Sequence, residues 1–286
     1  MRVKNDMQTP AAAPVAPVRE LALAALVVCA LVGAGHAHAG RSCEQRKPTV
    51  QVIERGMLLA ERTAQALDEE FRRSGTRVVV LARAGQDLSK YGLRYSHLGW
   101  VYRTDAGPWR VVHKLNECGT AESKVFRQGL GEFFLDDLWR FEATWAVPTP
   151  EVQARLLPVL SSNAQASAMH HRAYSMVSYA WSQKYQQSNQ WALETMAVAM
   201  EPGTIRSREQ AQAWLRFKGY EPTTLRLGPL TRLGGRITAA NIAFDDHPSD
   251  KRYAGRIETV TVDSALAWLQ RAQLAGAPVV LDLRQP

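Results

Sequence analysis

Cysteine is scarce in this sequence: it occurs three times in 286 residues, and Cys29 lies inside an apolar N-terminal segment. The other two, Cys43 and Cys118, are too few for a structural zinc site, which usually takes closely spaced pairs of ligands. An even pair of cysteines forms a disulfide in an oxidising compartment, so we predict a bond between Cys43 and Cys118. A catalytic thiol at Cys118, in the turn-rich stretch 116–120, is the alternative.

Signatures of metal sites and of nucleic-acid binding are also missing. The sequence contains no HExxH motif, and the adjacent His170 and His171 cannot share one helical face. Its net charge of +8 comes from scattered residues, without a run of lysine or arginine. We therefore predict no metal, no cofactor and no nucleic-acid partner. The positive charge serves either solubility or attraction to anionic envelope polymers and lipid head groups.

Long hydrophobic runs are absent after residue 33, and the one before it is typical of a secretory signal peptide. Basic residues precede an apolar stretch at 21–33, which is shorter than the roughly 20 residues of a membrane span. Ala37-His38-Ala39 then fits a small-x-small cleavage site. We predict a signal peptide over 1–39 and a periplasmic or secreted bacterial protein over 40–286, without a transmembrane segment. An uncleaved anchor is the alternative.

Hydrophobic periodicity in the first half predicts one helix followed by a sheet. Apolar residues at helical spacing favour an amphipathic helix over 50–73. Strand patterns follow at 77–84, 95–103 and 109–115, and Asp105-Ala106-Gly107-Pro108 is a turn by composition. Strands so close in sequence predict an antiparallel sheet packed against helices. We expect a single α+β domain over 40–286 with a C-terminal extension.

The second half of the chain favours helices separated by loops. We expect an irregular start at 123–139, an ambiguous segment at 173–181, a loop at 228–235 and a flexible polar insertion at 244–254. Strands are predicted at 255–262 and 279–283, and helices from Thr149 and Pro150 to about 161, over 188–200, from Ser207 to Lys218 and over 263–274.

Two histidines on the predicted hairpin are candidates for catalysis. Gly99 lies two residues after His97 on the same face of its strand, which would leave room for a substrate backbone beside the imidazole. A hairpin around 104–108 puts a residue near 115 opposite His97, so His113 lies diagonally on the same face and could orient the His97 ring. Asn116 is an alternative orienter. The simpler interpretations are a buried, hydrogen-bonded His97 and a His113 on a half-exposed sheet.

Ser188 begins a predicted helix, where unpaired backbone N–H groups and the helix dipole would favour a nucleophile and its oxyanion. Serine is also a preferred N-cap, which explains Ser188 without any chemistry. The polar side chains of Gln187, Asn189 and Gln190 could contact a substrate. Trp191 would line a groove for a sugar or peptide, or else the edge of the core.

Three segments together resemble the permuted papain-like amidases and lipid hydrolases: Tyr95-Ser96-His97-Leu98-Gly99, Val111-Val112-His113 and Gln187-Ser188-Asn189-Gln190-Trp191. Over about residues 40–275 the chain is also similar to the exported bacterial proteins of the domain of unknown function 2145 family. The resemblance implies a circularly permuted papain-like core with His97 as base, His113 as orienter and Ser188 at the nucleophile position.

Two departures from that pattern limit the expected chemistry. Serine replaces the superfamily's cysteine at residue 188, and histidine replaces its acidic or amide orienter at residue 113. Two hypotheses follow. One is a hydrolase of an amide or ester bond in the cell envelope. The other is a non-catalytic protein that binds an envelope polymer or lipid on a lapsed papain-like scaffold.

Overall fold

A computed structural model of the chain describes residues 47–136 and 138–284. The predicted signal peptide and Cys43 lie outside the described residues, so the export signal and the disulfide with Cys118 stay predictions. The helices are α1 Val50–Ser74, α2 Leu130–Phe134, α3 Pro150–Ser161, α4 Asn163–Ala166, α5 Ser188–Met200, α6 Arg208–Phe217, α7 Pro229–Thr238, α8 Ser249–Tyr253 and α9 Val262–Arg271. The strands are β1 Val78–Arg83, β2 His97–Arg103, β3 Trp109–Asn116, β4 Ser123–Gly129, β5 Glu142–Ala146, β6 Thr223–Arg226, β7 Arg256–Thr259 and β8 Val279–Asp282.

Local chemistry explains the helix ends that the sequence predicts. The Thr49 side chain accepts a hydrogen bond from the Val52 N–H at the start of α1, and Gly75 ends that helix in the left-handed conformation at φ 72°. Thr149 caps α3 in the same way, with Pro150 in its first turn. These caps need only neighbouring residues, which is why the helix over 50–73 and the helix start at Thr149 and Pro150 can be predicted from the sequence. None of the described helices combines the length and the apolar character needed to cross a membrane.

Six strands form one antiparallel sheet in the order β4-β3-β2-β1-β5-β8. The β2–β3 hairpin pairs Trp100 with Val112, and continuing that register puts Leu115 opposite His97. This is the pairing that the sequence predicts, and the α+β class with an antiparallel sheet is confirmed. The papain-like permutation stays a prediction.

Helices cover both faces of the sheet, and strand alternation decides which residue faces which layer. On one face Leu98 and Trp100 of β2 join a core with Trp191 and Met196 of α5. On the other face Val101 of β2 joins a separate core with residues of α1 and α2. We call these the α5 face and the α1/α2 face. The position of every candidate site residue follows from this division.

A two-stranded ribbon of β6 and β7 carries α7 and α8 between its strands. The predictions of a loop over 228–235 and of a flexible insertion over 244–254 are wrong where α7 and α8 form. Pro229 opens α7 in spite of the glycines that suggested a loop, and a Cβ atom built on Gly235 would lie 3.4 Å from Ile242. Ile242 in turn belongs to the small core beneath the ribbon. Tertiary packing therefore stabilises a helix that composition alone disfavours.

Two further segments differ from the sequence-based expectation. Residues 123–139, expected to start irregularly, begin with β4 and α2. The ambiguous segment 173–181 forms neither a helix nor a strand apart from an isolated bridge at Ala173. Hydrogen bonds to distant groups order it, such as the one from the Tyr179 N–H to Asp246 at 2.8 Å. Partners so far away in sequence leave no periodic signal in the segment itself.

Candidate functional site

His97 and His113 meet on the α1/α2 face of the sheet. His97 Nε2 lies 2.8 Å from His113 Nδ1, and His113 Nε2 lies 2.7 Å from Gln128 Oε1 on β4. The Phe133 ring of α2 covers both imidazoles, with centroid separations of 5.9 Å and 5.3 Å. The contact between the two histidines is therefore present as the hairpin register predicts, and Gln128 is a third member that the sequence analysis did not find.

The acceptor at Gln128 fixes the proton positions along this chain. With Gln128 Oε1 as acceptor, His113 Nε2 carries a proton and its Nδ1 presents a lone pair. His97 Nε2 then donates to that lone pair, which leaves the basic electron pair of His97 on Nδ1. The arrangement holds His97 in one tautomer, as an orienting residue does for a general base.

Both imidazoles are neutral at physiological pH. Burial lowers the pKa of His97 well below its usual value, and the Arg83 guanidinium and His113 act in the same direction. Burial and Arg83 lower the pKa of His113 to about 3. Arg83 itself lies over the Phe133 ring, donates to the Phe133 carbonyl and forms an ion pair with Asp136. The neutral His97 ring has a lone pair that can accept a proton, but its lowered pKa makes it a weaker base than a free imidazole.

The space expected beside His97 for a substrate is filled. A Cβ atom built on Gly99 would lie 2.9 Å from Val111 Cγ1 and 3.0 Å from His113 Cβ. The glycine therefore permits close packing of β3 against β2, and the prediction of room for a substrate backbone is wrong. A residue without a side chain on a strand indicates a close approach, but the sequence does not say whether protein or ligand makes it.

Ser188 lies on the other side of the sheet from the His97 ring. Its helix, α5, packs on the face of Leu98 and Trp100, whereas His97 projects with Val101 toward Phe133. The helix start touches β2 next to His97, because Asn189 Oδ1 accepts from the Leu98 N–H at 3.1 Å. That contact comes from the opposite face. The structure therefore does not bring the two predicted catalytic groups, Ser188 and His97, together.

The immediate neighbours of Ser188 are also different from those expected. Gln187, not Ser188, caps α5, because the Gln187 side chain accepts a hydrogen bond from the Asn189 N–H while Gln190 Oε1 accepts one from the Gln187 N–H. Burial raises the pKa of the Tyr174 phenol, and its hydrogen bond with Ser188 acts in the opposite direction. A phenol with a raised pKa is a poor base at neutral pH. It does not take the place of the missing imidazole.

The four residues predicted to contact a substrate are buried and bonded within the protein. Gln187 Nε2 donates to Thr259 Oγ1 at 2.9 Å, and Asn189 Nδ2 donates to the Val260 carbonyl at 3.3 Å. Gln190 accepts from the Ser178 hydroxyl at 2.8 Å and donates to the Ala180 carbonyl at 3.1 Å. Trp191 Nε1 donates to the Ala166 carbonyl at 3.2 Å. These side chains tie the start of α5 to its surroundings, which explains their polarity without a ligand.

Asn116, the alternative orienter, does not contact His97. Its amide donates to the carbonyls of Thr120 and Glu122 at 2.8 Å and 2.7 Å, and its oxygen accepts from Asn241 at 2.8 Å. Asn116 therefore closes the turn after β3, in which Cys118 also lies.

A buried polar network on the α5 face was missed by the sequence analysis. Lys114 of β3 is fully buried and donates to the His171 carbonyl at 2.8 Å and to Gln186 Oε1 at 2.6 Å. Gln186 and Arg208 both donate to Glu194 of α5, the guanidinium at 2.8 Å. Burial, with the Arg208 charge, lowers the pKa of Lys114 to about 6, although Glu194 acts in the opposite direction. The signal available in the sequence was a carboxylate, Glu194, within the mostly apolar stretch 191–200 of α5.

Among residues 47–136 and 138–284 there is no group of three or more histidine, cysteine, aspartate or glutamate side chains placed to hold a metal ion.

Comparisons with known proteins identify the family of this chain but no activity. The family model described as "uncharacterized protein conserved in bacteria (DUF2145)" matches residues 70–269, which include His97, His113 and Ser188. No curated protein and no solved structure matches the chain.

Proposed function

The chain belongs to the DUF2145 family of uncharacterized bacterial proteins, and we propose that it is a non-catalytic binding protein of the bacterial cell envelope. One observation carries the proposal: the His97 ring and the helix that Ser188 begins lie on opposite faces of the central sheet. A serine is a weak nucleophile unless a base within hydrogen-bond reach takes its proton. A change of rotamer does not carry an imidazole through a sheet, so substrate binding would not close this gap.

The groups around Ser188 also support a binding protein over an enzyme. An oxyanion needs donors that are free to receive it. The side-chain amides of Gln187, Asn189 and Gln190 already donate to protein acceptors, and all three residues are buried. An oxyanion at Ser188 would need uncommitted hydrogen-bond donors, and these three side-chain amides do not supply them.

Location in the envelope rests on the amino-terminal sequence and on charge. Residues 1–39 have the pattern of a cleaved signal peptide, and the chain carries a net charge of +8. Anionic polymers and lipid head groups of the envelope are the partners that such a charge favours.

Activity-based labelling tests the proposal directly. The purified protein is treated with a fluorophosphonate probe, with a known serine hydrolase as positive control, and its peptides are mapped by mass spectrometry. We expect no adduct at Ser188, because its hydroxyl is hydrogen-bonded to the Tyr174 phenol and the His97 ring lies on the other side of the sheet from α5. An adduct at Ser188 in the wild type that disappears in His97→Ala would show an activated serine and overturn the proposal.

A hydrolase that uses His97 without Ser188 is the second candidate. The hydrogen-bonded series His97–His113–Gln128 favours it, since it leaves a neutral imidazole with its Nδ1 as the free acceptor. Hydrolysis of a panel of esters and amides would be measured for the wild type, His97→Gln and Ser188→Ala. Activity that persists in Ser188→Ala and is lost in His97→Gln would establish this candidate instead of a binding protein.

A further inference from the structure

Helix α7 turns its apolar side chains toward solvent. Leu230, Leu233 and Ile237 are 83%, 56% and 75% exposed. Their spacing of three and then four residues places them on one face of the helix. A surface helix of a soluble domain normally buries such a stripe against the core. In α7 the usual orientation is reversed, and large exposed apolar patches commonly mark interaction sites.

Contacts on its opposite side hold α7 in this orientation. Gly235 is buried, and a Cβ atom there would lie 3.4 Å from Ile242 of the small core under the ribbon. Arg232 Nη1 donates to the Leu227 carbonyl at 2.8 Å, which ties the start of the helix to the end of β6. Because small and polar residues face the protein, the helix cannot rotate its leucines inward without losing these contacts.

Positive charge accompanies the apolar face. Arg226 and Arg256 are exposed and pair directly across β6 and β7, just before α7 begins. Arg236 is exposed on α7 at the edge of the face, one turn after Leu233. None of these three arginines forms an ion pair with another described residue. Like charges directly opposite one another destabilise a ribbon, and an anionic partner would relieve their repulsion.

Nearby carboxylates do not cancel this charge. Lys251 pairs with Glu258 at 2.6 Å, and Lys184 pairs with Asp245 at 2.6 Å. The Asp246 side chain is buried against His247 at 2.9 Å and accepts from the Tyr179 N–H at 2.8 Å, which leaves Asp250 at the start of α8 as the remaining exposed carboxylate of the segment between β6 and β7. The three arginines therefore outnumber Asp250, and the face keeps a net positive charge.

We propose that α7 docks on an anionic lipid surface. Leu230, Leu233 and Ile237 enter the boundary between head groups and acyl chains, while Arg226, Arg236 and Arg256 contact the lipid phosphates. An outward apolar face flanked by arginines has the composition of helices that lie in a membrane interface. The inference deepens the proposed binding function and rests on it for the presence of the protein in the envelope.

A second copy of the chain fits this face less well. A two-fold interface would place the same arginines of both copies against each other. Three side chains of one short helix also make a smaller surface than the roughly 800 Å² per partner of a stable interface. Charge complementarity therefore favours lipid.

Vesicle co-sedimentation is the test. Vesicles of phosphatidylglycerol and phosphatidylcholine in equal parts are compared with phosphatidylcholine alone, at low and at high salt. We expect binding to the anionic vesicles that weakens with salt, and at least tenfold weaker binding of the triple variant Leu230→Ser/Leu233→Ser/Ile237→Ser. Phe217→Ser is the matched control, because Phe217 is also 83% exposed but lies on α6. It should bind like the wild type.

Charge is tested separately with Arg226→Gln/Arg256→Gln. Each arginine near an anionic surface is worth about a fivefold change in binding, so the double variant should bind more than tenfold more weakly. Wild type and variants are compared after removal of the predicted signal peptide, residues 1–39, and binding that persists in the triple variant would overturn the proposal. Equal binding to neutral and anionic vesicles would also overturn the proposal. So would the combination of no vesicle binding with a dimer in sedimentation velocity that the triple variant abolishes.

The readouts of the two proposals are independent. Absence of vesicle binding leaves the labelling result at Ser188 unchanged, and an adduct at Ser188 leaves the vesicle result unchanged. Each proposal can therefore fail alone.

Discussion

Replacement of the buried Lys114 by methionine should change how stability depends on pH. The lysine is fully buried, and its pKa of about 6 in the folded protein lies far below the usual 10.5. Between these two values the unfolded chain holds a proton that the folded chain lacks. The free energy of unfolding therefore rises with pH in this window, by up to about 1.4 kcal/mol per pH unit. From pH 7 to pH 9 the Lys114 contribution amounts to about 3 kcal/mol.

Methionine is a suitable replacement because the side-chain acceptor of Lys114 keeps another donor. Gln186 Oε1 also accepts from the His171 N–H at 2.9 Å. The fold should therefore survive in Lys114→Met, while the titrating group is gone. We expect the free energy of unfolding of the variant to rise less than that of the wild type between pH 7 and pH 9, by about the 3 kcal/mol given above.

Urea unfolding followed by the fluorescence of the eight tryptophans measures the effect. Lys251→Met is the matched control. The hydrogen bond that Lys251 donates to Glu258 raises the pKa of Lys251, so its stabilisation is complete below pH 10.5 and gives no slope between pH 7 and pH 9. Parallel stability curves for the wild type and Lys114→Met across this window would refute a neutral Lys114 in the folded protein.

Three further variants test the packing of the candidate site by the same unfolding assay. In the folded protein the pKa of His113 is about 3, so the free energy of unfolding should rise with pH between about pH 3 and pH 6.5. His113→Gln should reduce that slope by up to about 1.4 kcal/mol per pH unit. An unchanged slope would contradict a neutral His113 in the folded protein. Gly99→Ala should cost about 1–3 kcal/mol, because its Cβ would lie 2.9 Å from a neighbour, whereas Gly234→Ala, which meets nothing within 4 Å, should cost nothing. Gln187→Ala removes the cap of α5 and should cost about 1–2 kcal/mol, with Ser188→Ala costing less than half as much; the reverse order would make Ser188 the cap.

The sequence by itself determines those features that neighbouring residues produce. Thr49 and Gly75 bound α1 because caps need only the adjacent turn. The turn at 105–108 sets the register of the β2–β3 hairpin, and the period of two in a strand then places His97 and His113 on one face. For these reasons the antiparallel sheet and the contact between the two histidines could be predicted without a structure.

Only the tertiary structure decided which layer each face of the sheet meets. Alternation puts His97 and Gly99 together, but either face can be covered by the helix that Ser188 begins, and α5 packs on the other one. Whether the gap at Gly99 holds a ligand or a neighbouring strand depends equally on contacts across the sheet. The outward orientation of α7 likewise depends on the small core beneath it, since helical periodicity identifies an apolar face but not the direction in which packing turns it.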